Sequence, residues 1–184
     1  MAEYFPLYMA RENLEHVVVP EMPTGIRFAN MDPDNLLPWY TLQRLSEPHL
    51  TIHDGLLEQQ LVDIAALSGR GFYLKQFDEI IGTGIAWWNT DNQGQRWGQL
   101  RWVAVHPSWR GLGLGHLLVS RLLVEVSNTD TRCFLETSAE RLAAIRLYRG
   151  LGFQPRAESP RGKALWQQVM QRLADDDEQS REFR

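Results

Sequence analysis

Six residues near the middle of the chain, Arg110-Gly111-Leu112-Gly113-Leu114-Gly115, have the types and spacing to hold a phosphate group. A diphosphate needs several hydrogen-bond donors converging on a small volume. Successive backbone N–H groups at a helix N-terminus supply them, and the helix dipole adds a favourable field. Glycines let the backbone approach closely and adopt positive φ. Arg110 adds a charged donor at the mouth of the loop. Two familiar phosphate loops are excluded by spacing. The dinucleotide fingerprint needs Gly-x-Gly-x-x-Gly, whereas Gly111, Gly113 and Gly115 alternate. The nucleoside-triphosphate loop needs Gly-Lys-Ser/Thr, which is absent. The string then reads as a phosphate cradle of another kind, or as a plain strand-to-helix turn.

Other chemistry-bearing residues are sparse. The five histidines are scattered, and His49 and His53 lie between Pro48 and Gly55 with no third ligand evident. His106 precedes a proline and reads as structural. Cys133 is the only cysteine, so neither an internal disulfide nor a Cys/His zinc spacing can be built. No metal is expected. Trp87, Trp88, Trp97 and Trp102 fall on predicted central strands. Strand alternation places Trp87 and Trp88 on opposite faces. They read as core, or as an aromatic wall for an apolar or cationic amine.

The elements that must position the glycine loop follow from periodicity. Val17-Val18-Val19 reads as a short strand, and residues 25–29 alternate as a half-buried strand. Asp32-Pro33 reads as a helix start, with Leu36, Leu37, Tyr40 and Leu45 on one face. A second helix is expected over residues 55–67, from the spacing of Leu57, Leu61, Ile64 and Ala65. Residues 72–77 and 80–88 read as a hairpin turning at Asp78-Glu79, in which Gly82 and Gly84 mark a bulge or a close backbone approach. Residues 100–105 form the strand that ends at His106-Pro107. A long apolar helix over 115–127 follows the loop, then a strand at 133–137 and a helix at 141–149 closed by Gly150 and Gly152. Phe153 and residues 164–170 are expected to supply the last strands. The order predicts a mixed α/β domain with helices on the faces of a sheet.

The 184 residues, 43% of them hydrophobic, fit one domain with extensions. We divide the chain into an N-terminal extension over 1–24 packed on the domain, a domain over 25–173, and an acidic tail over 174–184 that contains Asp175-Asp176-Asp177-Glu178. The formal net charge is −4, and no long Lys/Arg run gives an electrostatic footprint for nucleic acid. Residues 1–6 lack the basic and apolar regions of a signal peptide, and no apolar stretch approaches the ~20 residues that span a bilayer. These features favour a cytoplasmic setting without membrane attachment.

The run Val105-His106-Pro107-Ser108-Trp109-Arg110-Gly111-Leu112-Gly113-Leu114-Gly115 resembles motif A of the GCN5-related N-acetyltransferase (GNAT) family, whose Arg/Gln-x-x-Gly-x-Gly/Ala pattern is met by Arg110, Gly113 and Gly115. Downstream, Ala144-Ile145-Arg146-Leu147-Tyr148-Arg149-Gly150-Leu151-Gly152-Phe153 resembles the family's Ala-x-x-Leu-Tyr-x-x-x-Gly-Phe signature. The two motifs stand in family order, and the resemblance covers roughly residues 25 to 170.

The resemblance implies a mostly antiparallel sheet of six to seven strands, about four helices, and a splayed fourth and fifth strand of the family. It implies acetyl-CoA, or another short acyl-CoA, as co-substrate, and a small-molecule or peptide amine as acceptor. The pantetheine would pair with the backbone of Val103, Ala104 and Val105. The diphosphate would sit on Arg110, Gly111, Leu112, Gly113, Leu114 and Gly115, with His116 at the helix start. Tyr148 matches the tyrosine that serves as general acid, and Glu136 is a candidate base. Two departures weaken the catalytic match. Leu100-Arg101-Trp102-Val103 carries no carboxylate where relatives often have an acid, and Arg141 replaces the asparagine seven residues before the tyrosine. A CoA-sensing module that has lost catalysis is therefore the alternative. The resemblance is compatible with a monomer or a homodimer.

Overall fold

A computed structural model describes residues 5–91 and 93–182. Among them the fold is mixed α/β, with seven strands, mostly antiparallel, and six α-helices. The chain divides into two compact units, residues 13–133 and residues 1–12 with 134–184.

In residues 13–133 the strands β2 (Ile26–Asn30), β3 (Gly71–Gln76), β4 (Glu79–Thr90) and β5 (Arg96–Val105) lie side by side in that order, each pair antiparallel. The hairpin between β3 and β4 turns at Phe77 and Asp78. Helix α4 (Leu114–Ser127) packs on β4 and β5. Two strand glycines admit it. A Cβ at Gly98 would stand 2.0 Å from Val126 Cγ1, and one at Gly84 would stand 2.6 Å from Leu122 Cδ1. Neither distance is compatible with a side chain, so the close helix approach depends on the missing Cβ atoms.

Helix α1 (Leu37–Ser46) also packs on β4 and β5. Its buried face is Trp39, Tyr40, Leu42, Gln43 and Ser46, at steps of three and four residues. This corrects the expected face: Leu37 and Leu45 are 66% and 57% exposed. Asp32 caps a turn rather than a helix, accepting from the amide of Asp34 at 3.0 Å, and Pro38 takes the first-turn proline position of α1. The single helix expected over 55–67 is instead broken into α2 (Leu56–Gln60), a 3-10 turn (Ile64–Ala66) and α3 (Leu67–Arg70). Arg101 Nη1 takes the carbonyl of Gln60 at 3.0 Å, and Leu61 is extended, so the helical ladder stops there. Leu57, Leu61 and Leu67 still reach one apolar cluster with Trp39, Ile85 and Trp87.

In the other unit the strand order is β6 (Cys133–Thr137), β1 (Leu7–Arg11), β7 (Gln154–Arg156), with β1 and β7 antiparallel. The N-terminal strand is β1, not residues 17–19, where no strand forms and Val18 is exposed. Helix α5 (Leu142–Gly150) ends in a glycine cap at Gly152, φ +85, with the amide of Phe153 bonded to the carbonyl of Tyr148 at 3.0 Å. Residues 164–170 are not strands. They belong to α6 (Pro160–Glu182), because Trp166, Val169 and Leu173 recur at helical steps and all three are buried. Asp175–Glu178 continue the same helix, and Arg146 bonds Asp176 at 3.2 Å. The helix count of six, against about four expected, comes from the broken second helix and from α6. Residues 1–4 and 183–184 of the expected extension and tail lie outside the described residues.

Candidate active site

The strand leading into the glycine loop is irregular where it matters. Ile85 pairs with Arg101 and Thr83 with Ala104, so Trp102 and Val103 together oppose Gly84 alone. This is a β-bulge, which bends the strand and removes a residue from the ladder. Trp102 sits at φ +52, a left-handed conformation that costs a bulky residue about 1–3 kcal/mol. Three contacts hold it there. The amide of Gln43, 2% exposed, donates to the Trp102 carbonyl at 2.9 Å. Trp39 packs edge-to-face on its ring at 5.3 Å. Its indole Nε1 donates to Gln60 Oε1 at 3.1 Å. Val103 of the bulge, and Ala104 and Val105 after it, are half-buried.

The amide of His106 bonds the carbonyl of Ile81 at 2.9 Å and seats the end of β5. Pro107–Trp109 then make a 3-10 turn, and His106 Nδ1 accepts from the amide of Ser108 at 3.2 Å. That histidine is therefore a cap. Gly111 and Gly113 take φ +80 and +76, and Gly113 is the N-cap of α4. No atom lies within 4 Å of a Cβ built on either glycine, so the requirement is positive φ alone. Leu114, Gly115 and His116 open α4, and their N–H groups have no acceptor within the helix. Its first turn carries no acidic residue. The buried Leu114 side chain anchors the turn, while Gly111, Leu112, Gly113 and His116 are exposed. The loop thus offers open amides at the positive end of a 14-residue helix. Such a site suits an anionic group such as a phosphate.

Arg110 points elsewhere than its position in the string suggests. Its Nε donates to the carbonyl of Val105 at 3.2 Å, and its Nη2 donates to the carbonyl of Ser46 at 2.9 Å.

Glu136 and Tyr148 belong to the second unit. Glu136 is exposed on β6 beside Tyr8 of β1. Burial, then the charge of Glu136 and a hydrogen bond to it, push the Tyr8 phenol above its ordinary value. Tyr148 lies on the buried face of α5, 8% exposed, with its ring edge-on to Phe153 at 5.9 Å. Burial pushes its phenol up to about 12, opposed by the charge of Arg141. No acceptor among the described residues takes the Tyr148 hydroxyl. Arg141, at the start of α5, donates from Nη1 to Ser138 Oγ at 3.0 Å. Thr137 Oγ1 is buried without a partner among the described residues.

His49 and His53 do not meet: the amide of His49 bonds Glu47, and His53 Nδ1 lies 2.9 Å from the carbonyl of Asp54. The described residues contain no group of three metal-binding side chains. Trp87 and Trp88 do not divide between two faces; their rings stack at 4.4 Å. Trp88 packs against the same apolar cluster that holds Trp87. Arg70 and Arg96 lie against the Trp88 ring at 4.8 and 5.0 Å, and Trp87 joins the cluster of Trp39 and Ile85. Sequence reasoning missed Gln43, Gln60 and Tyr8. Only Gln43 had a signal, as a polar residue on the apolar face of a helix.

The sequence matches the acetyltransferase (GNAT) family over residues 35–153. No curated protein matches it. Among solved structures, a GCN5-related N-acetyltransferase from Sphaerobacter thermophilus is similar at TM-score 0.62 and 23% identity, over 82% of this chain and 48% of that one. The ribosomal-protein-S18-alanine N-acetyltransferase from Escherichia coli is similar at TM-score 0.58 and 20% identity, over 72% and 79%. A chain of the NatC complex bound to Gag peptide and CoA is similar at TM-score 0.61 and 18% identity, over 73% and 87%. The chain spans between a fifth and about six-tenths of the length of the first similar structures. These likenesses concern the fold. Together with the open amides of the loop and the family match over most of the chain, they lead to one conclusion: the chain belongs to the acetyltransferase (GNAT) family.

Proposed function

We propose that the chain is an N-acetyltransferase that moves an acetyl group from acetyl-CoA, or another short acyl-CoA, to a primary amine of a small molecule or peptide by direct attack. The observation that carries this reading is the open row of amides at the start of α4, reached through two positive-φ glycines from a bulged strand. On this reading the amides of residues 111–116 bind the diphosphate, and Val103 to Val105 pair with the pantetheine. The donor supplies a thioester carbonyl. The bulge frees backbone from the β4 ladder beside that carbonyl, where an N–H can stabilise the oxyanion that forms on attack.

The attacking amine must be neutral, and the departing thiolate must gain a proton. Tyr148 is suited to the second task. Its hydroxyl has no competing acceptor among the described residues, and at neutral pH it is protonated. Glu136 is proposed as the group that accepts the amine's proton, with Tyr8 orienting its carboxylate. The likeness to an enzyme that acetylates a ribosomal-protein alanine, and to a complex holding a peptide and CoA, favours a peptide amine as one acceptor class. A cytoplasmic setting, as monomer or homodimer, completes the proposal. No helix among the described residues is long and apolar enough to cross a membrane.

Thermal unfolding tests the cofactor first. Acetyl-CoA at a hundred times its Kd should stabilise the native state by about 2.7 kcal/mol, while NAD and ATP should give no shift. No shift with acetyl-CoA ends the proposal. Release of CoA thiol is then followed against a panel of amines and peptide N-termini. The absence of a carboxylate from residues 100–103 of β5 supports a second reading, a CoA-sensing module without catalysis. Cofactor binding without thiol release from any amine supports that reading. Thiol release that disappears on Tyr148→Phe, with folding intact, rules it out.

A further inference from the structure

We propose that Arg110 is a positioning residue: its guanidinium is committed to two backbone carbonyls, not to a phosphate, and through them it sets the cofactor loop against helix α1. The inference rests on the reading of residues 111–116 as an acyl-CoA diphosphate site.

The two acceptors are the ends of elements. Val105 is the last residue of β5 and Ser46 the last of α1. The final carbonyls of a helix have no partner within it, and a cation there also meets the negative end of the dipole. The Arg110 side chain fills that position from 64 residues away, at 2.9 Å. Its second bond, Nε to Val105, fixes the plane of the guanidinium at 3.2 Å. The Ser46 hydroxyl reaches the same Val105 carbonyl at 3.5 Å. The backbone amide of Arg110 bonds the carbonyl of Pro107 at 3.3 Å. Residues 105 to 110 therefore form a closed frame, and the chain leaves it directly into the first positive-φ glycine.

The same helix also holds the bulge. Gln43, three residues before Ser46, bonds the carbonyl of Trp102. Helix α1 is thus tied to the bulged end of the site at Gln43 and to the loop end at Ser46. A rigid helix with both ties fixes the separation of the two places that an extended cofactor must touch. Pre-setting that distance removes an ordering cost from binding.

Substitutions at Arg110 separate this role from a phosphate contact. In Arg110→Gln, the carboxamide nitrogen occupies the chain position of the arginine Nε and keeps one carbonyl bond, but has no charge. In Arg110→Lys, the charge remains and the planar fork is lost. Acetyl-CoA affinity of the full chain is measured by calorimetry at low and high salt, with amide exchange on the free protein. We expect each variant to bind about ten-fold more weakly, the scale of one lost hydrogen bond, because the glutamine loses the Ser46 carbonyl and the lysine cannot hold both carbonyls in one plane. Both keep the parent's salt dependence, and both exchange faster in the last turn of α1 and over residues 106–113. A lysine variant near the parent beside a glutamine variant that is weak and less salt-sensitive marks a phosphate ligand and overturns the proposal. So does parental behaviour in both variants. If the parent itself does not bind acetyl-CoA, the cofactor reading fails, while exchange in the last turn of α1 still decides whether Arg110 holds that helix.

Discussion

The side-chain amide of Gln43 donates at 2.9 Å to the carbonyl of Trp102, a residue held at φ +52 in the middle of a strand. A buried glutamine and a strained tryptophan thus form one structural unit, and the unit sits on the bulge beside the proposed thioester site. Gln43→Leu keeps the volume and removes the donor. The Trp102 carbonyl then loses its partner in a half-buried setting, at a cost of about 1 kcal/mol. The melting temperature should fall by about 2–4 °C for each kcal/mol lost. Acetyl transfer should fall as well, because the strained conformation is no longer over-determined. Calorimetric unfolding and thiol release measure the two effects.

Gly113 and Gly98 are required for different reasons, and alanine separates them. At Gly113 nothing obstructs a Cβ, but φ is +76, so Gly113→Ala costs about 1–2 kcal/mol of local strain at the loop. Its main effect should be weaker acetyl-CoA binding. At Gly98 the added Cβ collides with Val126 Cγ1. Gly98→Ala should therefore lower stability, and a second change, Val126→Ala, should recover part of the loss. No such recovery is available to Gly113→Ala. Unfolding curves of the three variants, with acetyl-CoA titrations, check the contrast.

Tyr148→Phe should leave the fold intact, since the ring that meets Phe153 edge-on is retained and no hydrogen bond among the described residues is lost. If the phenol protonates the leaving thiolate, kcat should fall by about 10²–10⁴-fold with little change in acetyl-CoA affinity. Steady-state kinetics with the best amine, together with circular dichroism, test this. Full activity in the phenylalanine variant removes Tyr148 from the mechanism.

Alkaline stability provides an independent check on the burial of the same phenol. Tyr148 moves from an ordinary value of 10.0 to about 12 in the folded chain, mainly through burial. The native state therefore holds this proton more tightly than the unfolded chain. The resulting stability is complete below pH 10 and is lost as pH rises from 10 to 12. Tyr73 is pushed up to about 12 by burial as well, so both tyrosines act in this window. Denaturant unfolding between pH 9 and 12 should show a steep decline, and Tyr148→Phe should make it shallower. An unchanged slope in the variant would contradict a buried, neutral phenol.

Much of the candidate site was legible in the sequence because its proposed ligands are backbone groups. Alternating glycines between an apolar strand and an apolar helix permit positive φ and a close approach to the backbone, and Gly111 and Gly113 take that conformation. The hairpin, the strand at 133–137 and the helix carrying Tyr148 were legible for a related reason: local period and turn chemistry dominate there. Residues 164–170 were misread because the segment was read too short: Trp166, Val169 and Leu173 are spaced at helical steps that extend past residue 170. The burial of all three on one face of α6 shows the period.

By itself, then, the sequence determined the order of the main elements from the hairpin to α5, the glycine loop proposed to receive a diphosphate, and the tyrosine at family distance from it. Tertiary structure alone decided how these parts are held. The Arg110 bond to Ser46, the Gln43 bond to Trp102 and the place of Tyr8 beside Glu136 all join residues far apart in the chain. None has a period or a motif, because a side chain that reaches a distant carbonyl or carboxylate answers to the packing of whole elements and not to its sequence neighbours.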